Sequence, residues 1–483
     1  MEKKNIFRFL LFCLVSFVFV TLFSRSTSFL YVFEGGDPSI FKQMGRAILK
    51  GKILYIDYFD NKGCLLYFIH ALGLWLGGNT ALLIMQAISL TITLLIWDKM
   101  LALYRNTRQR WISLCVALFL LFCFYGAGDQ TQEWCLPLIS YPLLVFMRAY
   151  KTETEIQHKQ IFVIGLCFGI ITFIQVNNAC AFLGFVAWMW LQYLLKKDFK
   201  KLIISILCFL SGWLVVAIPC VLYFFLKAGW HGVYEMVYAS FLSNFEYIGH
   251  QWKPRWFYII PYALFLLSLF AGIMLTFRKT KEIWIPSVIS LLLFVATFGR
   301  LCNAFYLAAL LPLCIIVLMF INFAENKTAK IAVCATTLLA LAFYAGNNAK
   351  DLLYQNKKQT AIYEQFHQCI ESIPEVERDS IYNYNLFWHG TSMMEHERLL
   401  SNNRVLFTAL VFNLPTLWKE ETAKPLSPPK WIMVSFEKPY KREDAYFIVQ
   451  NYDLTHTFVY DYQVLEKPKI GEVFQVHLYR RKD

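Results

Sequence analysis

Acidic side chains gather in two short stretches of this sequence, both placed where apolar runs begin or end. The first, EGGDPSIFKQMGRAILKGKILYIDYFDNKGCLLYFIHALG (34–73), carries Asp37, Asp57 and Asp60, with Lys62 close behind. The second, GDQTQEW (128–134), carries Asp129 and Glu133. Carboxylates collected at one membrane face suit removal of a proton from an acceptor hydroxyl, the work of a general base. Each group also has a structural reading. Asp37 follows two glycines and precedes Pro38, with Gly51 beyond, the pattern of a helix with Asp as N-cap, Pro in its first turn and Gly at its end. From these neighbours alone, capping and catalysis are equally good readings of Asp37. Asp60 and Lys62 can pair with each other, which contributes little at an exposed surface. Glu133 can serve as a first-turn acid favoured by the helix dipole.

The elements that must hold these residues are membrane helices. The 483 residues are 58% hydrophobic and only 16% charged, an apolar excess that calls for a lipid solvent. Runs near 6–24, 79–101, 111–127, 134–150, 160–177, 179–195, 202–226, 256–277, 283–299, 304–323 and 331–347 give about eleven spans. The N-terminal run is read as a retained helix, being long for a signal peptide and without a small-x-small cleavage site. With the N-terminus cytoplasmic, the inner loops collect Lys3, Lys4 and Arg8, then Arg105, Arg108 and Arg110, and later Lys196, Lys197, Lys200 and Lys201. The short outer loops near 128–133 and 177–178 hold no Lys or Arg, as the positive-inside rule requires. The acidic stretches then face outward. Segment 63–77 is apolar but short, and counting it as a span would invert every later loop; it reads as a re-entrant or interfacial helix. In 37–49, Ile40, Phe41, Met44, Ile48 and Leu49 share one face, which predicts a helix lying along the membrane surface.

The chain divides at 348/349 into a membrane part, 1–348 with first outer loop 25–78, and an extracytoplasmic α/β domain, 349–483. The tail opens with an amphipathic helix (351–373), and strand-like runs follow in SIYNYN, KWIMVSF, HTFVYDYQVL and EVFQVHLYRR; REDAYFIVQNY reads as helical. The net charge of +13 comes largely from short clusters between apolar runs, which lipid headgroups explain, so nucleic acid is excluded as a partner. Most of the 13 cysteines lie inside apolar segments and the tail holds only Cys369, so no disulfide framework is expected. The aromatic-rich outer loop 227–255 reads as an interfacial belt or an acceptor surface, and its His231 and His250 are weak metal candidates.

The first outer loop resembles that of bacterial GT-C glycosyltransferases of the dolichyl-phosphate-mannose-protein mannosyltransferase-like group, which includes the lipid A aminoarabinose transferases. Members carry an Asp opening a surface helix, a G-x-x-Y stretch and then D-x-K-G-P. Here these are Asp37, Gly51-Lys-Ile-Leu-Tyr55 and Asp60-Asn-Lys62-Gly63, with Cys64 in place of the proline. TQEWCLP (131–137) is similar to a T-E-E-x-x-L-P element, and GRLCNAFYLAALLP (299–312) to a G-R-x-x-x-H-Y element followed by L-P, keeping Arg300 but placing Ala304 where the histidine stands. The resemblance implies a polyprenyl-phosphate-linked sugar donor and an acceptor hydroxyl on a lipid, a glycan or a protein. It implies Asp37 as the general base of an inverting transfer, and Lys62 and Arg300 as partners of the donor phosphate. Asp57, Asp60 and Glu133 would orient acceptor, phosphate or a divalent cation, which some relatives need and others do not. The setting implied is a bacterial inner membrane. Two other functions fit a multi-pass chain of this kind. A transporter or flippase of lipid-linked sugars would place polar groups near the bilayer midplane; a glycan polymerase or ligase would take an oligosaccharide from a pyrophosphate.

Overall fold

The computed structural model describes residues 3–32, 36–243, 256–277, 281–299, 302–320, 327–350, 352, 356–384, 388–406, 426–436, 451–460 and 474–482. In chain order the helices are α1 (Lys3–Phe23), α2 (Asp37–Leu49), α3 (Cys64–Gly77), α4 (Asn79–Leu101), α5 (Thr107–Phe124), α6 (Thr131–Thr152), α7 (His158–Gln175) and α8 (Cys180–Leu195). There follow α9 (Phe199–Val237), α10 (Trp256–Phe277), α11 (Lys281–Phe298), α12 (Leu311–Phe320), α13 (Lys327–Lys350), α14 (Asn356–Glu371) and α15 (Trp388–His396). The strands are β1 (Ile381–Tyr384), β2 (Trp431–Phe436), β3 (Tyr452–Tyr460) and β4 (Phe474–Arg481). Two compact units result. One comprises 1–24, 83–226 and 251–349; the other comprises 25–82, 227–250 and 350–483.

The first unit is helical. Among the described residues six helical stretches are long and apolar enough to cross a membrane: Asn5–Phe23, Asn79–Leu101, Thr107–Phe124, His158–Leu195, Phe199–Leu242 and Tyr258–Leu275. The stretch from His158 holds two expected spans, separated by a 3-10 turn at Val176–Ala179. The expected span 304–323 begins as a 3-10 turn, Ala304–Leu310, before α12. Along α9 the residues Ile203, Leu207, Leu210, Leu214, Ile218 and Leu222 are all exposed, a continuous apolar stripe that water would not tolerate and lipid does. The chain is a multi-pass α-helical membrane protein. Polar contacts fix the helices to one another: Trp97 Nε1 donates to Ser140 Oγ at 2.8 Å, joining α4 to α6. Asp98 accepts from Arg8 at 3.2 Å and from Arg110 Nε at 2.8 Å, tying α4 to α1 and α5. A charge at a helix end beside lipid is tolerated when paired in this way.

The second unit is built on α2 and α3. Gly45 lies so close to α3 that a Cβ there would meet the Ala71 amide nitrogen at 2.7 Å, and Phe41 packs on His70 with ring centroids 5.5 Å apart. Two sequence expectations for α2 are corrected here. The N-cap is Gly36, with Asp37 the first helical residue, so Asp37 does not cap the helix with its side chain. Nor is α2 half-open to a membrane surface. Ile40, Phe41 and Met44 pack inside the unit, and Lys42 and Gln43 on the expected polar face are 0% exposed, because α3 and α15 both cover the helix. Gly51, at φ +76°, ends it as expected. α3 is 14 residues long, too short to span; its Tyr67, His70 and Ala71 are buried while Leu72, Trp75 and Leu76 are exposed.

The sheet of this unit has the order β1-β2-β4-β3, with β1 parallel to β2 and the other pairs antiparallel. Its core joins Phe366, Cys369 and Ile370 of α14, Met393 and Met394 of α15, and Trp431 and Leu478 of the strands. β3 begins four residues before the expected HTFVYDYQVL run, and the helix expected at 442–452 falls, through 450, outside the described residues. The first part of the expected loop 227–255 is corrected: after a kink at Ala228 and Gly229, the latter at φ +62°, the chain is helical again through Ser243, and 244–255 lie outside the described residues.

The polar contact that holds α2 to α15 is ionic. Glu395 receives Arg46 Nε at 3.1 Å and Arg46 Nη2 at 2.5 Å, and Gln43 Nε2 at 2.8 Å. Gln43 also donates to the Leu399 carbonyl at 2.7 Å and accepts from the Ser401 amide at 3.3 Å. Since the Glu395 side chain is 3% exposed, Glu395→Ala leaves Arg46 and Gln43 without their acceptor in a buried place. The expected loss is about 3 kcal/mol, read as a lower melting temperature of the detergent-solubilised protein; an unchanged melt would mean that the pair does not hold the unit.

Candidate functional site

Each unit presents one of the two acidic stretches. In the second unit the stretch after α2 is folded back by its own side chains. The Asp57 carboxylate accepts from the Ile53 amide at 2.7 Å, while the Asp57 amide donates to the Ile53 carbonyl at 2.9 Å. Tyr55 takes a left-handed φ of +67° and its amide donates to the Tyr58 carbonyl at 2.6 Å. Phe59 then donates to the Arg404 carbonyl at 2.6 Å, and the Tyr58 hydroxyl to the Ser401 carbonyl at 2.6 Å. Asp57 is thereby engaged in forming the turn.

This turn delivers Asp60, Asn61 and Lys62 to the N-terminus of α3, where tyrosines fix them. Tyr67 donates its hydroxyl to Asp60 Oδ2 at 2.6 Å and accepts from the Lys62 amide at 3.1 Å; the Tyr55 hydroxyl donates to the Lys62 carbonyl at 2.8 Å. The Lys62 ammonium donates to Asn61 Oδ1 at 2.5 Å, so the Asp60–Lys62 pair allowed by the sequence is not the one formed.

Asp37, half-buried at the start of α2, is in electrostatic contact with this cluster. Burial raises its pKa above the ordinary carboxylate value; the Lys62 charge pulls it down, and the Asp60 charge pushes it up. The result is a carboxylate more basic than usual beside one cation and one acid. That combination can accept a proton from a hydroxyl while the cation meets an anion. Sequence reasoning named Asp37, Asp60 and Lys62, gave Tyr55 only as part of the G-x-x-Y stretch, and missed Tyr67 and Asn61. Tyr67 lies inside an apolar run, where an aromatic reads as core, and only its seven-residue spacing from Asp60 on a turn-to-helix junction hinted at the bond. Lys42 was missed as well: it is fully buried, with Nζ donating to the Ser26 carbonyl at 2.5 Å.

In the first unit, Glu133 opens α6. Its Oε2 accepts from the Asp129 amide at 3.1 Å and its Oε1 from the Gln130 amide at 3.4 Å, so it performs the helix-start role weighed for it from sequence. Asp129 is fully buried at φ +61° and accepts from Trp134 Nε1 at 2.9 Å. Arg300, proposed from sequence as a phosphate partner, lies outside the described residues, as does His250. His231 Nδ1 stands 4.0 Å from Glu235, and among the described residues no group of three His, Cys, Asp or Glu side chains is placed to hold a metal ion.

No protein-family profile matches the sequence, and no curated protein matches it. Among solved structures, the archaeal oligosaccharyltransferase AglB from Archaeoglobus fulgidus, in complex with an inhibitory peptide and a dolichol-phosphate, is similar over 97% of this chain and 75% of that chain. The identity is 13% and the TM-score 0.48. A likeness of that size carries no functional argument, and the reading below rests on the residues.

Tyr67 is the test of the cluster's rigidity. Tyr67→Phe keeps the ring but leaves the buried Asp60 carboxylate without its donor, a loss expected to be about 1–3 kcal/mol. Thermal unfolding of the variant against the parent measures it, and an unaltered melt would show that Asp60 is held some other way.

Proposed function

We propose that this protein is a membrane glycosyltransferase that moves a sugar from a polyprenyl-phosphate donor to an acceptor hydroxyl on the extracytoplasmic face. The observation that carries this reading is Asp37: a half-buried carboxylate raised by desolvation, in electrostatic reach of Lys62 and Asp60. The resemblance of the same residues to the first outer loop of GT-C enzymes supports it. In this reading the chain crosses a bacterial inner membrane about eleven times, with its N-terminus cytoplasmic and residues 349–483 outside.

The chemistry follows from the charges. Asp37 takes the acceptor's hydroxyl proton as the oxygen attacks the anomeric carbon. The new carbon–oxygen bond forms on one face while the bond to the donor phosphate breaks on the other, so the configuration inverts. The bonding electron pair leaves with the phosphate, and Lys62 neutralises the growing charge, with Arg300 as the second proposed cation. Asp60 tunes the basicity of Asp37 and is itself positioned by Tyr67. Asp57 and Glu133, engaged in a turn and a helix start, position the backbone around their stretches. The acceptor class, whether lipid, glycan or protein, is set by surfaces outside this cluster.

The decisive experiment is Asp37→Asn in purified protein, supplied with a panel of prenyl-phosphate sugars and analysed by mass spectrometry of the products. Transfer should fall by at least about 100-fold while the melting temperature holds. Full activity would remove the base, and sugar movement across vesicles without any covalent product would replace the reading with transport.

The pH profile supplies a second check. Asp37 must be ionised to act, so activity is lost as pH falls through its raised pKa, and the acid limb should lie above the ordinary carboxylate range. Asp60→Asn removes a negative neighbour and should move that limb to lower pH; Lys62→Met removes a positive one and should move it to higher pH. Shifts of the opposite sign would show that the limb belongs to another group.

A further inference from the structure

A cavity stands apart from both acidic stretches and is not used by the proposed reaction. It lies in the first unit, opens to the surface and measures about 740 Å³, within the range of sites that hold small molecules. Its walls come from the C-terminal ends of α6, α8 and α12 and the N-terminal end of α11, together with Tyr104 after α4. Helix ends collected in this way mark one membrane interface, and the basic clusters in 148–159 and 196–201 predict that interface to be the cytoplasmic one.

The lining divides by chemistry. One part is aromatic: Phe146 and Phe185 pack with centroids 5.5 Å apart, and Tyr104 and Phe320 at 4.3 Å. The other part carries both signs of charge. Lys151 holds its ammonium 4.5 Å from the Tyr104 ring centre, and Lys196, Glu153 and Glu282 join it on the wall. Glu155, also on the wall, is paired with Lys201 at 2.6 Å. Among the described residues none of the other four makes an ion pair. Among the described residues the cavity therefore offers two cations and two carboxylates beside an apolar floor.

We propose that this cavity binds the headgroup of a zwitterionic phospholipid with a primary ammonium, a phosphatidylethanolamine. Lys151 and Lys196 receive its phosphate, and Glu153 and Glu282 receive its ammonium through charge-assisted hydrogen bonds. The rings carry the glycerol and the first methylenes of the acyl chains. A purely anionic lipid would leave both carboxylates facing its phosphate, and a choline headgroup has no N–H to donate to them. The site does not depend on the glycosyltransferase reading.

The test uses the full chain in detergent, given equal amounts of phosphatidylethanolamine, phosphatidylglycerol and phosphatidylcholine, with retained lipid measured by native mass spectrometry. Phosphatidylethanolamine should be retained about tenfold over either competitor. The double variant Lys196→Ala/Glu282→Gln should abolish that preference without lowering the melting temperature, since Lys196 and Glu282 are both exposed. Hydrogen exchange supplies an independent measurement on the parent protein: amides of 147–156 and 188–196 should slow with phosphatidylethanolamine and not with phosphatidylglycerol. Equal retention of the three lipids, a stronger grip on phosphatidylglycerol, or a preference that survives the double variant overturns the proposal.

Discussion

One buried carboxylate organises the unit that carries Asp37. Glu395 accepts two hydrogen bonds from Arg46 and one from Gln43, and by doing so joins a helix near the start of the chain to one about 350 residues later. Such a pair is a weak source of net stability, because removing both charges from water costs nearly what their attraction returns. Its effect is specificity. A half-buried Arg46 without Glu395 is disfavoured, so the pair favours this partner and this rotation of α2. That rotation places Asp37 at the end of the helix where Asp60 and Lys62 arrive.

The Asp37 cluster shows how burial and charge divide the work. Desolvation alone would make the carboxylate basic and also reluctant to ionise near neutral pH. The nearby ammonium of Lys62 offsets part of that effect, and Asp60 limits the offset. A general base needs such a balance, basic enough to take a proton and ionised often enough to be ready. The hydroxyls of Tyr55 and Tyr67 hold the Lys62 backbone and Asp60 so that the balance does not drift with the loop. The catalytic reading thus rests on a turn closed by the Asp57 carboxylate and steadied by two tyrosine hydroxyls.

Much of the architecture was legible beforehand. Apolar runs located the long helices, since lipid demands them at fixed length, and the pattern of β-branched and aromatic residues located β1, β2 and β4 closely. The errors have a common cause. The sequence placed α2 on a membrane surface because its apolar residues share one face, but two covering elements bury Lys42 and Gln43 as well. A polar side chain reads as solvent-facing until a distant acceptor is known. The helical stretch after Gly229 was read as a loop for the related reason that aromatic and polar residues mix there without a clear period.

The sequence by itself determined the solvent, lipid, and the chemical inventory of the first acidic stretch, because hydropathy and residue type are local properties. It also determined where α2 ends, through Gly51. Only the tertiary structure decided which carboxylates are occupied with backbone amides, as Asp57 and Glu133 are, and which make no such bond among the described residues, as with Asp37. It alone decided that Lys62 faces Asn61 rather than Asp60. Those choices depend on groups that are far apart in sequence or hidden in apolar runs, and hydrogen bonding assigns each donor to whichever acceptor packing brings within reach.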